Sequence, residues 1–418
     1  MYYSTKGVIG LDKSAKINRF VKLYPWYTGF IGDLLFYIAI DSLFLSLVKN
    51  FTPAQIVSIT SISQLICIAL QFPVLFVIKK IGNTASARAG GLCLTLSALL
   101  ITFGPSYYFV LLGRVLHDIA AIFRNAAVVA LENNLDLVDR RRDFVRVRTS
   151  ANTVYSFITM LISFVASYMF NLNHYLPMIG CITTCTVGFI LSFFMKDYSD
   201  YNKIPRKSRS NVKVKITYSK IVVISICLYA VFYTIVNNGQ TEGKLFIQQN
   251  LLLDFDVEKT ALIIGAIVCA SRIIRLFSNI IFARLYDRYQ AKMGVVLPVM
   301  LGISMGCLLF GSFIPEIVSK IIVMAVGYTI ILFVRDPFNL YIQDVLFECT
   351  PKDQHQTLLT VLTLGVKIAS AGIGLGFSTL LLTYPMVFII AIMFAIAIAE
   401  IIVSMILYRA ILRGKQNC

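Results

Sequence analysis

The stretch KDYSDYNKIPRKSRSNVKVKITYSK, residues 196–220, decides the fold. It holds eight basic residues (Lys196, Lys203, Arg206, Lys207, Arg209, Lys213, Lys215 and Lys220), Pro205 and several serines. On its N-terminal side lie six apolar runs, at roughly 26–48, 54–78, 86–104, 107–131, 149–171 and 175–195. On its C-terminal side lie six more, at 221–250, 257–282, 294–314, 317–347, 355–382 and 385–408. About 20 residues of helix cross a bilayer core. Backbone polar groups in lipid must bond within their own segment, which makes these runs helices. They lack the period-2 alternation of a transmembrane barrel. The chain therefore reads as an all-α membrane protein of twelve transmembrane helices in two pseudo-symmetric six-helix bundles. The bundles are expected at 1–195, with a cytoplasmic N-terminal segment 1–24, and at 221–418. Residues 196–220 are read as a flexible cytoplasmic linker.

Composition agrees. Of 418 residues 58% are apolar and 14% charged, against about 45–50% and 25% in soluble domains. This excludes a soluble globular enzyme and a disordered chain. The nine cysteines form no C-x-x-C pair and lie mostly inside apolar runs. They read as small apolar fillers, not as disulfides or metal ligands. There is no phosphate-cradling glycine loop and no metal-ligand cluster. No cofactor and no enzymatic reaction is expected.

The net charge of +17 comes from 38 basic and 21 acidic residues. With the N-terminus inside, the inner segments hold 28 Lys and Arg and the outer ones three (Lys49, Lys259, Lys320). Positive charge collects in cytoplasmic loops. The bias places both termini in the cytoplasm of an inner-membrane protein and accounts for the charge without nucleic acid.

Short motifs strengthen this reading. The loop between spans 8 and 9 runs Ala283-Arg284-Leu285-Tyr286-Asp287-Arg288-Tyr289-Gln290-Ala291-Lys292. It resembles the G-x-L-x-D-R-x-G-R-K loop of the major facilitator superfamily. Between spans 2 and 3 the equivalent loop keeps Gly82, with Lys79 where the family has Asp. On span 4, Arg114 with Asp118 resembles the family's R-x-x-x-G, and Glu132 is followed by basic residues. The resemblance implies the superfamily's fold and secondary transport by alternating access, with spans 1, 4, 7 and 10 lining the pathway. It implies a cytoplasmic gate at Lys79, Gly82, Glu132, Asp287 and Arg288. Span 5 lacks the glycine-proline stretch of many antiporters of this family.

Charges inside a membrane cost roughly 2.5–3.5 kcal/mol each, so those present are candidate pathway residues. Asp33, Tyr37 and Asp41 are spaced to share one helical face. On span 4 lie Arg114, His117, Asp118 and Arg124; Asp41 matches Arg114 in depth, and Asp33 matches Arg124. On span 7, Asn237, Asn238 and Glu242 with Gly239 and Gly243 suggest an interrupted helix. On span 10, Arg335, Asp336, Asn339 and Tyr341 surround Pro337, with Arg335 and Asp336 read as a pair at a kink. Lys367 and Glu400 read as a structural pair.

The expected activity is movement of a small solute across the cytoplasmic membrane by a monomer, with proton coupling through Asp33, Asp41 or Asp118 as a hypothesis. Efflux of amphipathic drugs or lipid-like molecules by proton antiport is the alternative. The charge bias makes its own prediction. A single cysteine at Lys259 in a cysteine-free background should react with an impermeant maleimide added to intact cells. One at Lys292 should react only after lysis; the reverse pattern would invert the topology.

Overall fold

The computed structural model describes residues 4–201, 220–350 and 355–416. Most of the basic linker, residues 202–219, lies outside this set. Among the described residues there is no strand. α1 (Ser4–Ile31) begins well before the apolar run, so the basic N-terminal segment is helical from Ser4. Ile17, Phe20 and Tyr24 on it are buried. The helix stops at Ile31. It resumes as α2 (Tyr37–Leu43) and ends in a π-helical turn, Phe44–Val48. The first span is thus two half-helices, and the helical spacing assumed for Asp33, Tyr37 and Asp41 does not hold.

α3 (Pro53–Phe103) opens on a capping box. The Thr52 N–H donates to Gln55 Oε1 at 3.0 Å and the Gln55 N–H to Thr52 Oγ1 at 3.3 Å. A straight helix of its 51 residues would run about 77 Å, more than twice the ~30 Å of bilayer core. Gly82, at φ 82° and ψ 169°, divides it into two crossings. That backbone region is open essentially to glycine alone.

Next come α4 (Tyr107–Asp136), α5 (Asp143–Leu172), α6 (Leu176–Ser192) and a 3-10 turn, Tyr198–Tyr201. α7 (Lys220–Asp254) is followed by α8 (Val257–Gly311), whose N-cap Asp256 accepts from the Lys259 N–H at 2.9 Å. α8 breaks at Tyr289 (φ −129°, ψ 20°), in the loop that corresponds to the one at Gly82. α9 (Ile317–Glu348), α10 (His355–Leu380) and α11 (Met386–Gln416) complete the chain. With α1 and α2 taken as one interrupted crossing and α3 and α8 as two each, the described helices supply twelve crossings. Seven of them carry long apolar windows with at most two charges.

The chain divides into two compact units. One contains α1, α3 from Ala69 on, α4, α5 and α6; the other contains Ile40–Ile68 and α7 to α11. In the first, α1 packs on α5 and α6. In the second, α8 packs on α9 and α11, and α7 on α9, α10 and α11. Close approach uses small residues, as expected where lipid offers no hydrophobic drive between helices. Ser304 Oγ donates to the Gly327 carbonyl at 2.7 Å.

The start of the stretch read as a flexible linker is not free. Asp197 is fully buried and accepts from Asn83 Nδ2 at 2.7 Å and Asn133 Nδ2 at 2.8 Å. Its N–H donates to Thr84 Oγ1 at 3.0 Å, and Asn134 Nδ2 donates to the Lys196 carbonyl at 2.9 Å. The start of this stretch is anchored to the loop at Gly82 through Asp197, just before the 3-10 turn, a residue that read only as polar spacer. Replacing Gly82 should strain this corner. Gly82→Ala is expected to cost about 1–3 kcal/mol, read as a lower melting temperature of the detergent-purified protein. An unchanged melting temperature would contradict the assigned backbone.

Candidate functional site

The break in the first span is the focus of the first unit. Helix C-termini leave carbonyls without partners and carry partial negative charge. Arg124 of α4 meets this need, donating through Nη1 to the carbonyls of both Ile31 and Gly32. Asp33 sits in the break and caps the chain beyond it, accepting from the Leu34 N–H at 2.8 Å. Its Oδ1 also lies 2.9 Å from His117 Nε2. His117 Nδ1 lies 3.2 Å from Asp118 Oδ1, and Arg114 Nε reaches Asp118 Oδ1 at 4.0 Å. Asp33 and Arg124 are close enough to attract one another, as their matched depth suggested, but their direct bonds go elsewhere, the acid to His117 and the guanidinium to backbone.

This row has a chemical consequence. Both nitrogens of His117 face carboxylate oxygens. A neutral imidazole has one N–H, so its other nitrogen would set a lone pair against a carboxylate. One added proton relieves this, on the ring or on an acid. The three groups form one coupled acid–base unit, not three independent ones.

In the second unit Asp41 of α2 forms an ion pair with Lys244 of α7, not with Arg114. One turn further along, Gln248 Nε2 donates to Ser46 Oγ in the π-helical turn at 2.7 Å. The π turn thus coincides with a polar contact, a common association. α7 itself is uninterrupted, which corrects the expected break at Gly239 and Gly243. A Cβ at Gly239 would lie 2.9 Å from Met305 Cε and 3.1 Å from Ile331 Cδ1. The glycine serves helix contact, not chain flexibility. Asn237 is half-buried, and Asn238 and Glu242 are buried. Asn238 Nδ2 and Glu242 Oε2 have no hydrogen-bond partner among the described residues.

On α9 the chain stays helical through Pro337. Asp336 pairs bidentately with Arg275 of α8, Nε–Oδ2 at 2.8 Å and Nη2–Oδ1 at 3.0 Å. Arg335 donates instead to Gln240 Oε1 at 3.2 Å, so the adjacent Arg335–Asp336 pair is not made. Adjacent helix residues point about 100° apart, which separates them. Asn339 Oδ1 accepts from Tyr229 at 2.9 Å and from Gln343 at 2.8 Å. Tyr341 is buried against Gly294. Lys367 reaches Cys67 Sγ at 3.9 Å and not Glu400, whose carboxyl is buried with Oε2 unpartnered among the described residues.

Of the gate motif, Lys79 and Arg288 are exposed. Arg288 lies 5.5 Å from the Tyr289 ring, and Glu132 accepts from Arg141 Nη2 at 3.0 Å. The side chain of Asp287 lies outside the described residues. Sequence reasoning missed Gly32 and Asp197; Arg275, read as a snorkelling residue or a partner of inner-gate acids, pairs with Asp336. Gly32-Asp33, a breaker beside a capping acid inside an apolar run, was the available signal for the first.

An interrupted first crossing, ion pairs between helices and seven long apolar windows fit a multi-pass membrane protein. The chain belongs to the Major Facilitator Superfamily, whose sequence profile matches residues 28–370. No curated protein sequence matches it. Solved structures share the fold at low identity. The nucleoside transporter NupG aligns with TM-score 0.76 and 10% identity over 94% of this chain and 99% of its own. A bacterial homologue of the iron transporter ferroportin, in its inward-facing state, aligns at 0.68 and 13%, over 93% and 98%. A peptide transporter, POT, aligns at 0.64 and 12%, over 98% and 94%. These likenesses confirm the all-α fold class expected from the sequence.

The Asp41–Lys244 pair is directly testable. Removing one partner of a buried pair leaves an uncompensated charge and costs roughly 3–5 kcal/mol, whereas replacing both is far milder. Lys244→Met should lower the melting temperature markedly, and adding Asp41→Asn should restore most of it. Equal loss in single and double variants would show that the two groups do not interact.

Proposed function

We propose that the protein is a secondary active transporter that carries a small polar solute across the cytoplasmic membrane by alternating access, driven by protons. Both termini lie in the cytoplasm, and the functional unit is the monomer. The observation that carries the proton-coupled reading is the Asp33–His117–Asp118 row at the break in the first crossing. Discontinuous helices in transporters place ion and substrate groups at such breaks, and intramembrane chains of acids and histidine relay protons. With the added proton on the ring both nitrogens of His117 donate, and without it only one does. That changes the hold of α4 on Asp33 and hence on the two half-helices. Asp41–Lys244 and Arg275–Asp336 are read as ion pairs of the second unit that support the pathway, with Arg335, Asn339 and Glu242 beside it. The gate motif around Gly82, Glu132 and Arg288 is read as the cytoplasmic hinge.

The solved transporters of this fold carry titles naming a nucleoside, iron and peptides; these support a transport role here and not a particular cargo. Efflux of amphipathic compounds is not favoured. Asp33→Asn and His117→Gln should each abolish accumulation driven by a pH gradient in proteoliposomes, a loss of at least about tenfold. Solute counterflow, which needs no net proton movement, should persist. Gradient-driven accumulation at the wild-type level in both variants would remove the relay from the mechanism.

A further inference from the structure

Beside the break, α1, α4 and α5 of the first unit enclose a cavity of about 370 Å³. This lies within the size range of small-molecule sites, about 300–1,000 Å³. Its wall includes Tyr27, Arg124, Asn125, Arg148 and Asn152, and among the described residues no acid lines it. Tyr27 is 2% exposed, and its hydroxyl has no hydrogen-bond partner among the described residues. A buried polar group left unpaired costs about 1–3 kcal/mol, so its presence calls for a partner from outside the chain.

The charge distribution says what kind of partner. Within the spans, acids and bases balance in number. They do not balance in place. Asp33 and Asp118 meet His117, Asp41 meets Lys244 and Asp336 meets Arg275. Arg124 donates through Nη1 to two backbone carbonyls, makes no direct ion pair among the described residues, and lines the cavity. Arg148 has the Phe144 ring 5.8 Å away. The wall is thus rich in N–H and O–H donors and carries two guanidinium groups. Guanidinium groups hold carboxylate and phosphate with paired, charge-assisted bonds.

We propose that this cavity is a binding site for a small soluble anion, a carboxylate or phosphate monoester, whose charged group is held by Arg124 and Arg148. Tyr27, Asn125 and Asn152 bond its neutral polar groups. The inference deepens the transport reading and rests on it, since the ligand of this site is taken to be the cargo or a regulator of its passage.

The test uses the full-length, detergent-purified protein. Thermal shift and titration calorimetry would be run with sugar phosphates, nucleoside monophosphates and dicarboxylates, and with neutral sugars, nucleosides and quaternary amines. Melting in nanodiscs with and without phosphatidylglycerol separates soluble anions from lipid headgroups. A soluble anion should bind, and Arg148→Gln should weaken it at least about tenfold, the size of a charge-assisted bond. Tyr27→Phe removes one hydroxyl that has no protein partner, so it keeps the fold and should weaken binding about two- to tenfold. Binding only of neutral or cationic solutes, anion binding unchanged in both variants, or stabilisation by anionic lipid alone would overturn the site. Uptake of a neutral or cationic solute into proteoliposomes would then leave the transport reading standing. Accumulation of no solute of any charge would overturn that reading instead.

Discussion

Two backbone carbonyls, those of Ile31 and Gly32, lie where the first helix stops, and Arg124 bonds them both. Without that guanidinium the break in the first crossing would leave buried acceptors unsatisfied, which lipid surroundings penalise heavily. The cation also complements the negative end of α1. Because the break is held, Asp33 can leave the helix and turn to His117 on α4. Arg124 bonds the backbone of the break, and Asp33 meets His117. The same side chain borders the cavity beside the break. One residue on α4 therefore holds the helix break and borders both the His117 row and the pocket.

The second unit solves the burial of charge in another way. Asp41–Lys244 and Arg275–Asp336 are direct pairs that connect different helices. Each partner neutralises the other where an isolated charge would be expensive. Pairing across helices also fixes their mutual rotation, since a side chain pointing elsewhere would strand its counterion. Tyr233 adds to this by donating to the Arg335 carbonyl at 2.7 Å, holding α7 to α9 near Pro337.

The loops carry structure of comparable weight. Gly82 turns the chain where no other residue fits easily, and the residues after it, Asn83 and Thr84, bond the buried Asp197. The loop and the start of the linker are thus one hydrogen-bonded assembly. A motif glycine in this place serves the backbone first, and whatever gating the loop performs is built on that corner.

The sequence by itself determined the class and the count. Twelve apolar runs of helical length, divided by a basic stretch, admit one kind of fold, because lipid forces each run to satisfy its own backbone. It also exposed Asp33, Asp41, His117, Arg124 and Asp336 as residues that need partners, since charge in lipid is costly wherever it sits. It could not name those partners. Depth matching joined Asp33 to Arg124 and Asp41 to Arg114, but depth is only one coordinate, and helix rotation decides which side chains meet. Glycines misled in both directions. Gly239 suggested a break and instead admits Met305 and Ile331, while Gly32 broke a helix that looked continuous. Only the tertiary structure decided these, because whether a glycine bends or packs depends on what stands opposite it.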